Sequence, residues 1–307
     1  MNNKRREFLK WGTQLVAGAA IIPVACKLSS NDDKAKEAES ADSTSTTNPA
    51  TASAALQYFG LQLYSLRDDM PKDPKGVLKQ VSSFGYKQIE SYEGKQGMFW
   101  GMSNTEFKKY MDDLGMTIVS SHCDINKDFE KKTAEAAAIG MKYLICPYKG
   151  PQKKLDDFKK FADEFNQKGE ICKKNGIKFA YHNHDYTFKE LEGQLPQDLL
   201  MNSTDASLVD YELDMYWVVA GGQDPETWLK KYKNRFKLCH VKDRTKGATE
   251  AADTCTLGEG SIDYAKILKT AKENGMEYYI VEQEKYAGTT PLKAVEVDAA
   301  YMKNLKI

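Results

Sequence analysis

Along this chain, short apolar runs alternate with amphipathic stretches, and one junction between them recurs. An amphipathic stretch ends in glycine, and an apolar run follows at once. The junction appears at Ser83-Phe84-Gly85-Tyr86-Lys87-Gln88-Ile89-Glu90, at Asp113-Leu114-Gly115-Met116-Thr117-Ile118-Val119 and at Ala138-Ile139-Gly140-Met141-Lys142-Tyr143-Leu144-Ile145. It returns at Lys174-Asn175-Gly176-Ile177-Lys178-Phe179-Ala180 and at Glu273-Asn274-Gly275-Met276-Glu277-Tyr278-Tyr279-Ile280-Val281. Glycine adopts the left-handed conformation that closes a helix at its C-terminus. The β-branched or apolar run after it suits a strand buried on both faces. Runs at Phe59 to Leu66, Ala206 to Leu213 and Phe236 to Val241 bring the strands to eight.

Between the runs the polar and apolar positions take a helical period. The helices expected are Asp73 to Ser83, Thr105 to Leu114, Asp128 to Ile139, Leu155 to Lys174, Pro225 to Asn234 and Ile262 to Asn274, with Pro291 to Leu305 last. Asp224-Pro225-Glu226 and Ser261-Ile262-Asp263 supply capping signals. Strands and helices alternating in this way pair in parallel through right-handed crossovers. The pattern predicts an α/β fold, a single (β/α)8 TIM barrel. An open doubly wound sheet is the rival, but no G-x-G-x-x-G or G-x-x-x-x-G-K-[ST] follows any strand.

The start of the 307-residue chain breaks the pattern. Lys4-Arg5-Arg6-Glu7-Phe8-Leu9-Lys10 precedes an uncharged stretch from Trp11 to Ala25, the layout of an export signal over residues 1–26. The paired arginines before Phe8-Leu9-Lys10 resemble a twin-arginine signal, which carries folded proteins. Cys26, after Val24-Ala25, stands where a lipoprotein carries its lipidated cysteine. Export to the periplasm, or a lipid anchor at the membrane, is therefore expected. Residues 27–56 are rich in Ser, Thr, Asn, Asp, Ala and Lys and read as a disordered linker. Residues 57–307 then have the length of one barrel, about 250 residues.

Lys plus Arg and Asp plus Glu are both 44, so the net charge is zero and nothing draws the chain to nucleic acid. Beyond Cys26 the cysteines are 123, 146, 172, 239 and 255, unclustered and without Cys-x-x-Cys. They read as small buried apolar groups.

Reactive side chains of such barrels gather at the C-terminal ends of the strands. Those ends read Ser120-Ser121-His122, His182-Asn183-His184-Asp185, Glu212-Leu213-Asp214, His240-Val241-Lys242-Asp243 and Glu282-Gln283-Glu284, with Glu90 on the second strand and Gln62, Tyr64 and Arg67 on the first. All four histidines of the chain lie at these ends. Carboxylates and imidazoles gathered in one mouth are costly without a compensating cation. Mixed nitrogen and oxygen ligands suit Mn2+, Zn2+, Co2+ or Fe2+, and the nitrogens disfavour Mg2+.

At this point the residues resemble a known family. Gly60-Leu61-Gln62-Leu63-Tyr64-Ser65-Leu66-Arg67, Tyr181-His182-Asn183-His184-Asp185, Glu212-Leu213-Asp214-Met215-Tyr216-Trp217, His240-Val241-Lys242-Asp243 and Leu257-Gly258-Glu259-Gly260 look like the sugar phosphate isomerase/epimerase family. It belongs to the xylose isomerase-like barrel superfamily, which also holds AP endonucleases, inosose dehydratases and ketose 3-epimerases. The resemblance implies one metal held by Asp214, His240, Glu282 and a fifth-strand residue. That last position falls on His182, where many relatives have Glu, and His184 is its neighbour on the same face. Trp217 replaces the histidine of the Asp-x-x-His found in many relatives. The change removes a ligand that a multi-zinc cluster needs and argues against AP endonuclease activity, as does the zero net charge.

The implied chemistry is proton abstraction next to a carbonyl, assisted by the metal. Glu282, Glu212 and Glu90 are candidates to move the proton, and His122 and Lys242 to donate to substrate oxygens. Substrate contacts are expected from His184, Gln62, Tyr64 and Trp217. Epimerisation, isomerisation and elimination all remain open. An exported enzyme would meet a free or oxidised sugar or a glycoside rather than a sugar phosphate, and no cluster of Arg or Lys offers a phosphate grip. A barrel that binds sugars without catalysis is the rival from another class.

Overall fold

The computed structural model describes Leu56, residues 58–250 and residues 252–307. The expected export signal, Cys26 and nearly all of the expected linker lie outside the described residues.

Eight parallel strands close into a barrel: β1 (Gly60–Gln62), β2 (Gln88–Tyr92), β3 (Thr117–His122), β4 (Tyr143–Cys146), β5 (Lys178–His182), β6 (Val209–Asp214), β7 (Phe236–Val241) and β8 (Tyr278–Val281). Each strand pairs with its sequence neighbours, and β1 closes the ring against β8 with Gly60 opposite Ile280. The principal helices outside are α1 (Pro74–Phe84), α2 (Asn104–Asp113), α3 (Phe129–Ala138), α4 (Leu155–Lys174), α5 (Pro196–Ser203), α6 (Met215–Ala220), α7 (Pro225–Lys231), α8 (Tyr264–Glu273) and α9 (Pro291–Asn304). None of the described helices is long and apolar enough to cross a membrane.

The glycine junctions are what the sequence pattern promised. Gly85, Gly115, Gly140, Gly176 and Gly275 all have positive φ. Gly85 closes α1 at φ 101, and a Cβ there would also stand 2.3 Å from the Lys303 side chain. Two expectations shift. The first strand stops at Gln62, because the Gln62 side chain accepts from Tyr64 N and starts a 3-10 turn over Leu63–Leu66. Asp263, not Ser261, caps α8 by accepting from Lys266 N.

Helices and strands share one continuous apolar layer, in which Phe107, Phe165, Phe179, Leu213 and Tyr264 are fully buried. Each such side chain contributes about 1.5–3 kcal/mol by leaving water. Inside the barrel a second small set packs together: Val119, Tyr143, Ile145, Ala180 and Leu238. Ala180 and Leu238 precede His182 and His240 by two residues, so this layer lies directly beneath those imidazoles. The cysteines at 123, 146, 172 and 239 are free and buried.

Candidate metal centre

The strands deliver their ionisable groups by simple alternation. On β6, Glu212 and Asp214 are two residues apart and share the inward face. Glu212 lies opposite His182 of β5, and Asp214 opposite His240 of β7. Pairing slips by one residue between Tyr211 and Glu212, and again between Ile89 and Glu90 on β2. Such bulges re-aim side chains and recur beside active sites. Asp214 also caps α6, its Oδ1 accepting from Trp217 N at 3.0 Å. That turns Oδ2 toward His182 Nε2 (3.3 Å), His240 Nδ1 (3.4 Å) and Lys242 Nζ (3.3 Å).

Hydrogen bonds fix which nitrogen of each imidazole bears the proton. His182 Nδ1 is 3.0 Å from the Pro147 carbonyl, which only accepts, so Nδ1 donates and Nε2 presents a lone pair. His240 Nε2 donates to Glu90 Oε1 at 2.8 Å. His240 Nδ1 is buried without a hydrogen-bond partner, although Glu282 Oε2 stands 3.2 Å away. Two imidazole lone pairs therefore face two carboxylates, Asp214 and Glu282. The four ligand atoms lie within 4.8 Å of one another. Lone pairs set against carboxylates repel unless a cation or a proton stands between them. The residues fit a divalent cation, and two nitrogens with two oxygens suit Zn2+, Mn2+, Co2+ or Fe2+.

Without a cation, the same carboxylates draw a second proton onto His240 instead. Burial alone would raise the pKa of Asp214, but the Lys242 charge, with hydrogen bonding at its Oδ2, holds it well below the usual carboxylate range. Glu282 is likewise lowered against its burial, by Lys242 and His240. Burial disfavours a charged His240, yet Glu212 and Glu282 raise its pKa well above the ordinary value. A proton and a metal ion thus compete for the same nitrogen.

A second group lies behind the first. Glu90 Oε1 accepts from Gln62 Nε2 (2.8 Å) and His240 Nε2, while Oε2 accepts from the Ser120 hydroxyl at 2.6 Å. His122 Nε2 is 2.7 Å from Glu212 Oε2 and 3.3 Å from Glu90 Oε1. Burial works against a charged His122, but Glu90 and Glu212 together push its pKa up to about 9. Glu212 is raised, first by burial and then by the charge of Glu90.

Above both groups opens a cavity of about 280 Å³, walled by Tyr64, His122, His182, His184, Glu282 and three residues that sequence reasoning did not single out for the site, Pro147, Tyr148 and Glu284. Pro147 and Tyr148 follow β4, whose apolar end carries no titratable group to draw the eye. Glu284 hydrogen-bonds Lys242 from a strand end already in view. His184 stacks on Trp217 with centroids 5.1 Å apart, and burial, then His182 and Lys242, push its pKa down to about 2.

The structure thus gathers the predicted residues but sorts them. His122, His182, His184, Tyr64 and Glu282 face the cavity. Gln62, Glu90 and Glu212 are wholly buried behind it, so Gln62 serves Glu90 rather than a substrate. Lys242, also fully buried, bonds Glu282 Oε2 at 2.8 Å, and Trp217 backs His184.

Comparison with known proteins fits this geometry. Residues 78–305 match the family model described as xylose isomerase-like TIM barrel. A sugar phosphate isomerase/epimerase from Parabacteroides distasonis is 32% identical, with a TM-score of 0.69 over 83% of this chain and 96% of that one. An inosose dehydratase from Clostridium perfringens is 33% identical over 144 residues, 42% of this chain and 48% of the relative. An inosose dehydratase from Geobacillus kaustophilus is 25% identical over 275 residues, 75% of this chain and 86% of the relative. The chain spans about half the length of the first of these curated relatives.

One expectation is corrected. The family match covers residues 78–305 of the barrel. No finding supports the twin-arginine signal or a lipoprotein lipidated at Cys26, and that reading is withdrawn. Export no longer weighs against a sugar phosphate as substrate. By its matched length and its barrel, the chain belongs to the xylose isomerase-like TIM barrel family.

Proposed function

We propose that this chain is a divalent-metal-dependent enzyme that moves a proton on the carbon next to a carbonyl of a keto-sugar or keto-polyol. The observation that carries the reading is the convergence of the His182 Nε2 and His240 Nδ1 lone pairs on the carboxylates of Asp214 and Glu282. A cation held there would draw electron density from a carbonyl oxygen and stabilise the charge left when the neighbouring C–H bond breaks.

The chain's own residues supply the rest. Glu284, on the cavity wall beside Lys242, is placed to take a proton, and His122, charged at neutral pH, to give one. Glu284 follows β8 and His122 ends β3, strands that do not pair, so they reach a ring from different sides. His184 stays neutral and offers a substrate hydroxyl a hydrogen bond. Proton transfer from a second side gives epimerisation or isomerisation. Loss of a hydroxyl from the next carbon, assisted by His122, gives dehydration. The relatives named inosose dehydratase favour dehydration, and the relative named sugar phosphate isomerase/epimerase favours the other outcome.

The test combines elemental analysis with proton NMR of ring ketones in D2O. About one equivalent of Zn, Mn, Co or Fe and deuterium uptake beside the carbonyl are expected. Glu282→Gln should keep the fold by circular dichroism and lose exchange at least about 100-fold. Exchange that survives both chelation and Glu282→Gln would sink the proposal.

A further inference from the structure

The central cavity does not end at the metal residues. A second cavity of about 170 Å³ opens beside it, and Tyr64, His122 and Pro147 line both. Its own walls are Tyr92, Glu93, Cys123 and Asp124. The central cavity alone falls just below the usual range of small-molecule sites, about 300–1,000 Å³, and the pair together enters it.

The side walls are built rather than incidental. Tyr92 stands edge-on between Tyr64 (5.2 Å) and Trp100 (5.0 Å). Trp100 is held in the left-handed region at φ 56, and its Nε1 donates to Ser91 Oγ at 3.1 Å. Such strain persists only where surrounding contacts impose it. Glu93 Oε2 accepts from Asp124 N (2.8 Å) and Lys132 Nζ (2.6 Å), and Asp124 Oδ1 accepts from Asn126 N at 2.9 Å. The other oxygen of each carboxylate makes no hydrogen bond to the described residues.

Aromatic rings with spare carboxylate acceptors match the apolar faces and hydroxyl donors of a sugar ring. Glu93 and Asp124 are balanced by Lys132 and by His122, which lines the side cavity too, so no surplus positive charge is left there to grip a phosphate ester. We infer that the side cavity is a subsite for a second, uncharged ring, and that the substrate is a glycoside or two-ring sugar rather than a free monosaccharide. The inference rests on the sugar chemistry proposed for the central cavity. The reacting ring lies over His182 and Glu282, and its substituent passes between Tyr64, His122 and Pro147.

The test uses the metal-loaded full chain with 3-keto-D-glucose and with the 3-ketones of maltose and cellobiose, by calorimetry and by deuterium exchange. At least one two-ring ketone should bind at least tenfold more tightly than the one-ring ketone. Asp124→Phe, which fills the side cavity from its exposed rim, should cut that ratio at least tenfold. Tyr92→Ala reads the same ratio if the first variant does not fold. Equal affinity for one and two rings, or an unchanged ratio in both variants, overturns the inference. Exchange on every ketone, together with equal affinity for one and two rings, would defeat the subsite and leave the proposed reaction standing. Tight two-ring binding without any exchange would do the reverse.

Discussion

Two groups of four residues meet at His240, and they differ in a way distances alone do not reveal. Both Glu90, His122, Glu212, His240 and His182, Asp214, His240, Glu282 bring ligand atoms within 4.8 Å, and every member of both is buried. In the first group Glu90 is saturated, with Gln62, Ser120 and His240 as donors. In the second, two imidazole nitrogens turn lone pairs toward carboxylates. Proximity of ligand atoms is shared, and each group keeps one buried atom without a hydrogen-bond partner, Glu212 Oε1 in the first and His240 Nδ1 in the second; two imidazoles aimed at two carboxylates belong to the second alone. The donor and acceptor accounting, not the cluster radius, assigns the cation to the second group and a supporting role to the first.

The sharpest way to break this comparison is to remove the internal cation of the second group. Lys242, fully buried, bonds Asp214, Glu282 and Glu284. Burial alone would discharge it, but Asp214 and Glu282 raise its pKa well above the ordinary value. Lys242→Met keeps most of the side-chain volume and strands the carboxylates. In chelated protein it should cost about 3–5 kcal/mol, as removing one partner of a buried pair does. Urea unfolding gives the number. Added zinc or manganese should restore more stability to the variant than it adds to the native chain. If metal stabilises neither protein, the second group is not a cation site.

Much of this arrangement was legible in the sequence, and the reason is periodicity. Gly85, Gly115, Gly140, Gly176 and Gly275 punctuate helix ends whatever the tertiary contacts, so eight strands can be counted without a structure. The order of strands in a barrel then places His182, Asp214, His240 and Glu282 at one mouth. Depth was not legible. Gln62, Glu90 and Glu212 carry the same chemistry as cavity residues, but only the bulges at Glu90 and Glu212 and the bond from Gln62 set them behind the wall. Tyr148 and Pro147 were missed because an aromatic and a proline after an apolar strand look like any loop.

A smaller effect tests the first group through its charge. His122 sits at about 9, above the value near 6.5 expected in an unfolded chain. The folded state therefore holds this proton more tightly. Its contribution is complete below about pH 6.5 and disappears as pH rises through 9, about 3 kcal/mol in all. Urea midpoints of chelated protein should fall across that window, and His122→Gln should flatten the fall. A native profile already flat there would mean that Glu90 and Glu212 are not both pulling on His122.

The smallest effect is the most discriminating, because Glu90 touches the second group only through His240. Glu90 Oε1 accepts the Nε2 proton of His240, and this keeps the Nδ1 lone pair directed at Asp214 and Glu282. Glu90→Gln preserves the shape and removes the charge. Where the new amide turns its nitrogen toward His240, the imidazole must place its proton on Nδ1 instead, and the ligand is lost. Partners that orient ligating histidines are worth about 10–100-fold in metal affinity. Zinc competition titrations should show a loss of that size, against a loss of more than about 1,000-fold for Asp214→Asn, which deletes a ligand outright. If Glu90→Gln is as damaging as Asp214→Asn, Glu90 is itself a ligand and the two groups form one site. If neither Glu90→Gln nor Glu90→Leu, which has no acceptor for the Nε2 proton, changes metal affinity, hydrogen bonding does not choose the tautomer of His240 and does not separate the two groups.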